Sequence, residues 1–217
     1  MNPALIELII LAGIAVFLFL RLRSVLGTRE GFEKPRMQPK NDAPKRDFKV
    51  IDGGEDKDIT DNVEKNSKSA KALKTIKEKD ETFTVNEFLS GARSAYEWIL
   101  MSFEKNEIDD IRELLSEEVA EAFDSVVEQR ISQGLTIEAE FIGVREMKLV
   151  DASYNSKTKT AEIAVSFIGE MTSVVKNSSG EIIEGDSKQI KRQKDTWTFS
   201  KDIQSSNPNW LLVATGE

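Results

Sequence analysis

Carboxylates are the only side chains numerous enough here to suggest acid–base chemistry. The 217-residue sequence holds 38 Asp and Glu but no histidine and no cysteine. That removes the commonest general base, the thiolate nucleophile and the usual transition-metal ligands together. A serine nucleophile has no imidazole to take its proton, and neither common form of Gly-rich phosphate loop occurs. The acids Asp52, Glu55, Asp56, Asp58 and Asp61 suggest calcium. A loop starting at Asp56, however, puts Asp61 where an EF-hand has glycine and Ser67 where its last glutamate belongs. The sequence therefore offers no catalytic set, no metal and no cofactor. Asp195 stands two residues before Trp197, so a regular strand puts both on one face, where a partly buried carboxylate titrates high. A structural strand-end carboxylate is the plainer reading.

Binding chemistry is better represented. Phe141, Ile163, Val165, Phe167, Trp197, Phe199, Trp210 and Leu212 fall on one side of alternating segments, and a concave sheet face made of them is a candidate pocket. Ordinary core accounts for most of them equally well. Residues 104–128 carry ten acids against Lys105 and Arg112. Within that run Glu107, Asp109, Asp110, Glu113, Glu117, Glu118 and Glu121 are candidates for docking a basic partner segment, the alternative being a solvated face.

The net charge of −8 is uneven. Residues 1–81 carry 16 basic and 14 acidic side chains, whereas 82–217 carry 14 and 24. So acidic a region repels phosphate backbones, which argues against nucleic acid as a partner. The absence of cysteine suits a reducing compartment.

Helices come first among the elements that must position these residues. Thr84-x-x-Glu87 is a capping box, followed by Phe88, Ala92, Ala95, Tyr96, Ile99 and Phe103 on one helical face. Asn106 is read as the cap of a short helix reaching Leu115. Ser116 caps another, with Val119, Phe123, Val126, Val127 and Ile131 as its buried stripe and Gly134 as its stop. The period then changes to two over 135–151, 159–175 and 186–200, with turns at 155–157, 177–180 and 207–209 and a last strand holding Trp210, Leu212 and Ala214. Helices followed by an antiparallel meander predict an α+β domain over 82–217, its helices covering one face of a curved sheet.

The N-terminal third reads differently. Ala4 to Leu20 is apolar except for Glu7, about 25 Å long as a helix, and nine Lys or Arg against four acids follow over 21–49. A signal peptide carries its charges before the apolar run, so this order predicts an uncleaved single span over 1–26 with its N-terminus outside and the bulk cytoplasmic. Pro35, Pro39, Pro44 and Gly53-Gly54 mark 27–81 as a charged, flexible linker. Lysines at every third position over 65–77 suggest a basic helix at 62–80, a solvated helical linker being the plainer reading. Lys68, Lys71 and Lys74 on it, with Arg21 and Arg23 after the apolar run, are candidate membrane-surface contacts, with anionic lipid as the matching partner.

Phe88-Leu-Ser-Gly-Ala92, the run Ile111 to Val119, Phe123 to Arg130, and Asp195-Thr-Trp-Thr-Phe199 followed by Asn207-Pro-Asn-Trp-Leu-Leu212 resemble the Tim44-like domain family. That family is named for the scaffold of the mitochondrial inner-membrane import motor. Anchor, linker and domain together look like the bacterial TimA-type adaptors. The resemblance implies a cone-shaped fold of the cystatin and nuclear-transport-factor-two group with a large apolar pocket. It also implies a place at the cytoplasmic face of a bacterial inner membrane, and adaptor work in protein translocation or membrane-protein assembly. Other membrane or translocating proteins are then the partners. The long chaperone-recruiting region of the mitochondrial scaffold is not matched here. A lipid carrier or sensor, or an isomerase- or dehydratase-type enzyme using a pocket carboxylate, are the alternatives.

Overall fold

The computed structural model describes residues 56–216. The apolar run of the first twenty residues, Arg21, Arg23 and the proline-marked segment lie outside the described residues. No helix among the described residues is long and apolar enough to cross a membrane.

The first elements are a single turn, α1 (Lys57–Thr60), and a helix, α2 (Lys68–Lys79). They belong to the folded body, so the domain starts well before the residue 82 expected from the sequence. The lysine periodicity there obscures an inward face: Leu73 and Ile76 are fully buried, and α2 lies on the first strand of the sheet. Ser69 fixes the contact. Its hydroxyl donates to Asp151 at 2.8 Å and accepts the amide of Ala152 at 3.3 Å.

Helix α3 (Val85–Glu104) crosses the sheet. Four amides at a helix start lack intrahelical partners. Thr84 accepts that of Glu87, as the capping box predicts, while Asp58 accepts those of Val85 and Asn86 at 2.8 and 3.0 Å. The far end closes differently from the sequence reading. Asn106 adopts φ 62° and terminates α3 instead of starting the next helix. The Glu107 amide bonds back to the Ser102 carbonyl at 2.8 Å, the six-to-one link of a Schellman ending.

Ile108–Leu114 then forms a 3₁₀ segment rather than an α-helix, with Ile108 and Ile111 buried one tight turn apart. Helix α4 (Glu117–Ser132) is capped by Ser116 and stopped near Gly134, whose φ is 66°. Its expected stripe is only half buried. Val119 and Val127 are covered, but Val126 is 39% and Ile131 62% exposed. Helix α4 packs on the 3₁₀ segment and the last strand, and touches the end of α3 through Phe123 and Arg130, while Val126 and Ile131 face away from these neighbours.

Four antiparallel strands follow in sequential order: β1 (Thr136–Asn155), β2 (Thr160–Lys176), β3 (Ile182–Asp202) and β4 (Leu211–Ala214). Helices on one face of this sheet make the domain α+β. Strand β1 carries single extra residues against β2 at Ile142, Arg145 and Val150. Such bulges bend a strand and increase its twist. They also explain why Ile142 and Val150 are exposed despite their apolar side chains.

Candidate functional site

The inner face of the sheet is filled. Ile163, Val165, Phe167 and Leu212 are fully buried, and Trp197 and Phe199 nearly so, under α2 and α3. Of the eight pocket candidates, Phe199 and Trp210 line an open groove. Ile163, Val165, Phe167, Trp197 and Leu212 lie in the core, and Phe141 packs edge-on against Tyr96 at 6.1 Å. Alternation predicted the face correctly but carries no information on how closely α3 approaches it.

Asp195 and Trp197 do share that inner face. Asp195 is buried, and the Tyr96 hydroxyl donates to it at 2.5 Å while the Gln193 amide donates at 3.0 Å. The Tyr96 ring stacks on Phe167 with centroids 4.4 Å apart and lies 4.7 Å from Trp197. Burial, then the hydrogen bond and charge of Asp195, raise the Tyr96 hydroxyl well above its ordinary pKa. The pair is enclosed in the core and does not line the groove.

The groove lies between α3, the 3₁₀ segment and the β3–β4 connection, with a volume of about 370 Å³. Periodicity builds one wall: Phe88, Gly91, Ala92 and Ala95 fall on one side of α3, at helical spacings of three and four. Leu114 supplies the opposite lip, and Pro208-Asn209-Trp210 closes the end. Trp210 meets Phe88 edge-on at 4.9 Å and Phe83 at 5.8 Å, with Phe199 6.0 Å from Phe88. These four aromatic rings form an apolar floor.

Its charged rim is already partnered on one side. Lys201 bonds Asp80 at 3.2 Å, and the Thr82 hydroxyl bonds the same carboxylate at 2.6 Å. The Thr82 hydroxyl, and after it Lys201, overcome burial and hold the Asp80 carboxyl below its ordinary value. Asp80 is therefore ionised at neutral pH and committed to an ion pair, a poor general base. Glu87 is exposed at the lip.

The acidic candidates are all exposed, Glu107 just before the 3₁₀ segment, Asp109, Asp110 and Glu113 on it, and Glu117, Glu118 and Glu121 on α4. Arg112 is engaged there by Asp109 at 3.0 Å and Asp124 at 3.1 Å. The exposed lysines Lys68, Lys71 and Lys74 sit on α2, which packs on β1, whereas α4 and the 3₁₀ segment pack on β4. Opposite charges thus occupy opposite ends of the strand order.

The groove itself was not legible in the sequence. It is assembled from four separate segments, and only the W-T-F and P-x-W signals pointed toward it.

A family model described as the Tim44-like domain matches residues 69–217. Comparison with curated proteins gives no match. Among solved structures, the crystal structure of the intermembrane space region of chloroplast protein ARC6 is similar at 9% identity. The match covers 66% of this chain and 94% of that one, with a TM-score of 0.38.

Proposed function

The chain belongs to the Tim44-like domain family, and from that premise we propose that it is a membrane-anchored, non-enzymatic adaptor. In this reading residues 1–26 hold it in a bacterial inner membrane with the N-terminus outside. Residues 27–55 act as a tether, and the folded body works on the cytoplasmic side in protein translocation or membrane-protein assembly. Lys68, Lys71 and Lys74, with Arg21 and Arg23 near the span, bind anionic headgroups, each worth about 1 kcal/mol near a charged surface. The groove at Phe199 and Trp210 holds an apolar segment of a client or a lipid chain, beside the acidic residues 107–121.

One observation carries the proposal. An aromatic groove opens next to an acidic face, and the Asp80 carboxylate on its rim is held by Lys201 and the Thr82 hydroxyl. Such a site favours binding an apolar segment. Photo-crosslinkers placed at Trp210 and Glu113 of the full chain in its own membrane test this. Capture of membrane or translocating proteins at both positions is expected. Capture of neither, together with turnover of a small molecule that depends on Asp195, overturns it.

A further inference from the structure

The first half of β3 stands clear of the body. Every residue from Ile182 to Lys194 is exposed. One edge pairs with β2, but β4 covers the other only from Thr198 to Ser200, and the Gly216 carbonyl takes the Thr196 amide. Within this arm residues 187–190 stand opposite the single residue Thr172, more than the one extra residue of an ordinary bulge. Gly185 makes the knuckle possible. Its φ is 84°, and a Cβ there would collide with the Ser173 carbonyl. The Asp186 carboxylate then accepts the Lys188 amide at 2.8 Å. A knuckle of this kind stops a free edge from templating another strand. What the arm offers a neighbour is therefore its side chains.

Those side chains are cationic in an acidic domain. Ser187 to Lys194 reads Ser-Lys-Gln-Ile-Lys-Arg-Gln-Lys, without an acid. Arg192 bonds Glu170 at 2.9 Å and Lys191 lies 3.9 Å from Glu184, but Lys188 and Lys194 form no ion pair among the described residues. Ile190, on the knuckle, is 53% exposed.

The complement stands at the other end of the same strand. The Ser116 amide, at the start of α4, bonds the Leu212 carbonyl, and Leu212 is the partner of Phe199. Lys194 is about 17 Å along β3 from Phe199, with the knuckle further still. Glu113, Glu117, Glu118 and Glu121 are exposed there and, among the described residues, form no ion pair, while Arg112 is held by Asp109 and Asp124. One molecule thus carries unpaired cations and unpaired anions that do not pair with each other. Nucleic acid, a polyanion longer than the arm, meets the acidic face as well and is repelled there.

We propose that the β3 arm of one copy docks on the acidic face of a second copy, Lys188 and Lys194 against the carboxylates of the 3₁₀ segment and α4, with Ile190 covered by the contact. Opposed potentials of this kind fix partner and register. The contact is heterologous, leaving a free arm at one end and a free face at the other, so copies add in a row. It goes beyond the adaptor reading and does not depend on it.

Sedimentation velocity of the full chain in micelles of a zwitterionic detergent tests this, over a concentration series at low and high salt. The wild type is expected to self-associate, and salt to weaken it. Lys188→Glu with Lys194→Glu reverses the arm, and Glu113→Lys with Glu121→Lys reverses the face. Each double variant should self-associate at least about tenfold more weakly, with its thermal midpoint kept. Mixing the two should restore association, because each junction again joins opposite charges. A monomeric wild type, association unchanged in either variant, or no recovery on mixing overturns the proposal. A monomeric wild type whose binding to anionic vesicles is lost on reversing the arm overturns it in favour of a lipid contact.

Discussion

Tyr96 lies against β2 where Gly169 leaves it room: a Cβ at 169 would stand 2.6 Å from the hydroxyl oxygen and 3.1 Å from Cε1. This close approach lets the phenol reach across the strand to Asp195 on β3. Gly169→Ala should therefore destabilise the fold by about 1–3 kcal/mol. The loss should shrink in a Tyr96→Phe background, where the nearest atom is gone. Chemical denaturation of the four members of this double-mutant cycle measures the coupling.

Tyr96→Phe alone leaves a buried carboxylate short of a donor and should cost about 1.5–3 kcal/mol. It should also change the alkaline limb of stability. Burial and Asp195 raise the Tyr96 pKa above its ordinary 10.0, so the folded state keeps its proton where the unfolded chain has lost it. The contribution is complete below pH 10.0 and declines as pH rises past it. Denaturation at pH 9 and pH 11 should show the wild type losing stability between them more steeply than Tyr96→Phe.

Asp58 binds the first two amides of α3 from 27 and 28 residues upstream, and Lys77 bonds it at 2.9 Å. Burial acts to raise its carboxyl, but the amides of Val85 and Asn86 and the Lys77 ammonium outweigh it, leaving the pKa below 3.8. The stabilisation is therefore present above about pH 3.8 and lost as pH falls below it. Asp58→Ala should cost about 1–2 kcal/mol near neutral pH, as for loss of a helix cap. Its stability profile should be flatter than the wild type's in acid.

Arg130 holds the ends of α3 and α4 together. Its guanidinium lies 4.3 Å from the Phe103 ring centroid, donates to the Phe103 carbonyl at 3.0 Å and faces Glu104 at 3.8 Å. Burial dominates both partners, raising Glu104 and lowering Arg130. Removing the cation strands a desolvated carboxylate, so Arg130→Ala should cost about 3 kcal/mol. Glu104→Gln should be close to neutral at pH 7. Equal losses in the two variants would contradict this account.

Deleting residues 1–22 should move the protein from the membrane pellet to the soluble fraction. The basic α2 face alone should keep a residue on anionic vesicles that salt removes. Full retention of the truncated protein in high salt would place the anchoring elsewhere.

Much of this architecture could be read from local signals. Thr84 and Glu87 announced the start of α3, and the alternation through Ile163, Val165 and Phe167 identified the inner face of β2. Trp197 and Phe199 did the same for β3. Signals that act at a distance were not legible. Leu73 and Ile76 make too thin an apolar stripe among lysines to announce a docked helix, and nothing near Asp58 reveals that it serves amides at 85 and 86. The extra residues of β1 have no compositional mark, because a bulge is defined by its partner strand. Val126 and Ile131 show the same limit, since periodicity identifies a face but not how far the neighbour extends. For the candidate site, Phe199 was found on the right strand, whereas Trp210, expected on the last strand, lies in the connection just before it. Gly91, Ala95 and Leu114 were passed over because their role depends on the gap between elements.

The exposed Lys68, Lys71 and Lys74 of α2 and the carboxylates of the 3₁₀ segment and α4 stand on elements that pack against opposite edge strands. A charged surface exerts a torque on such a body, within about a Debye length of 8 Å at physiological salt. If the proposed membrane contact is correct, orientation is selected during approach, and neutralising Lys68, Lys71 and Lys74 should slow association with anionic vesicles more than it weakens the final complex.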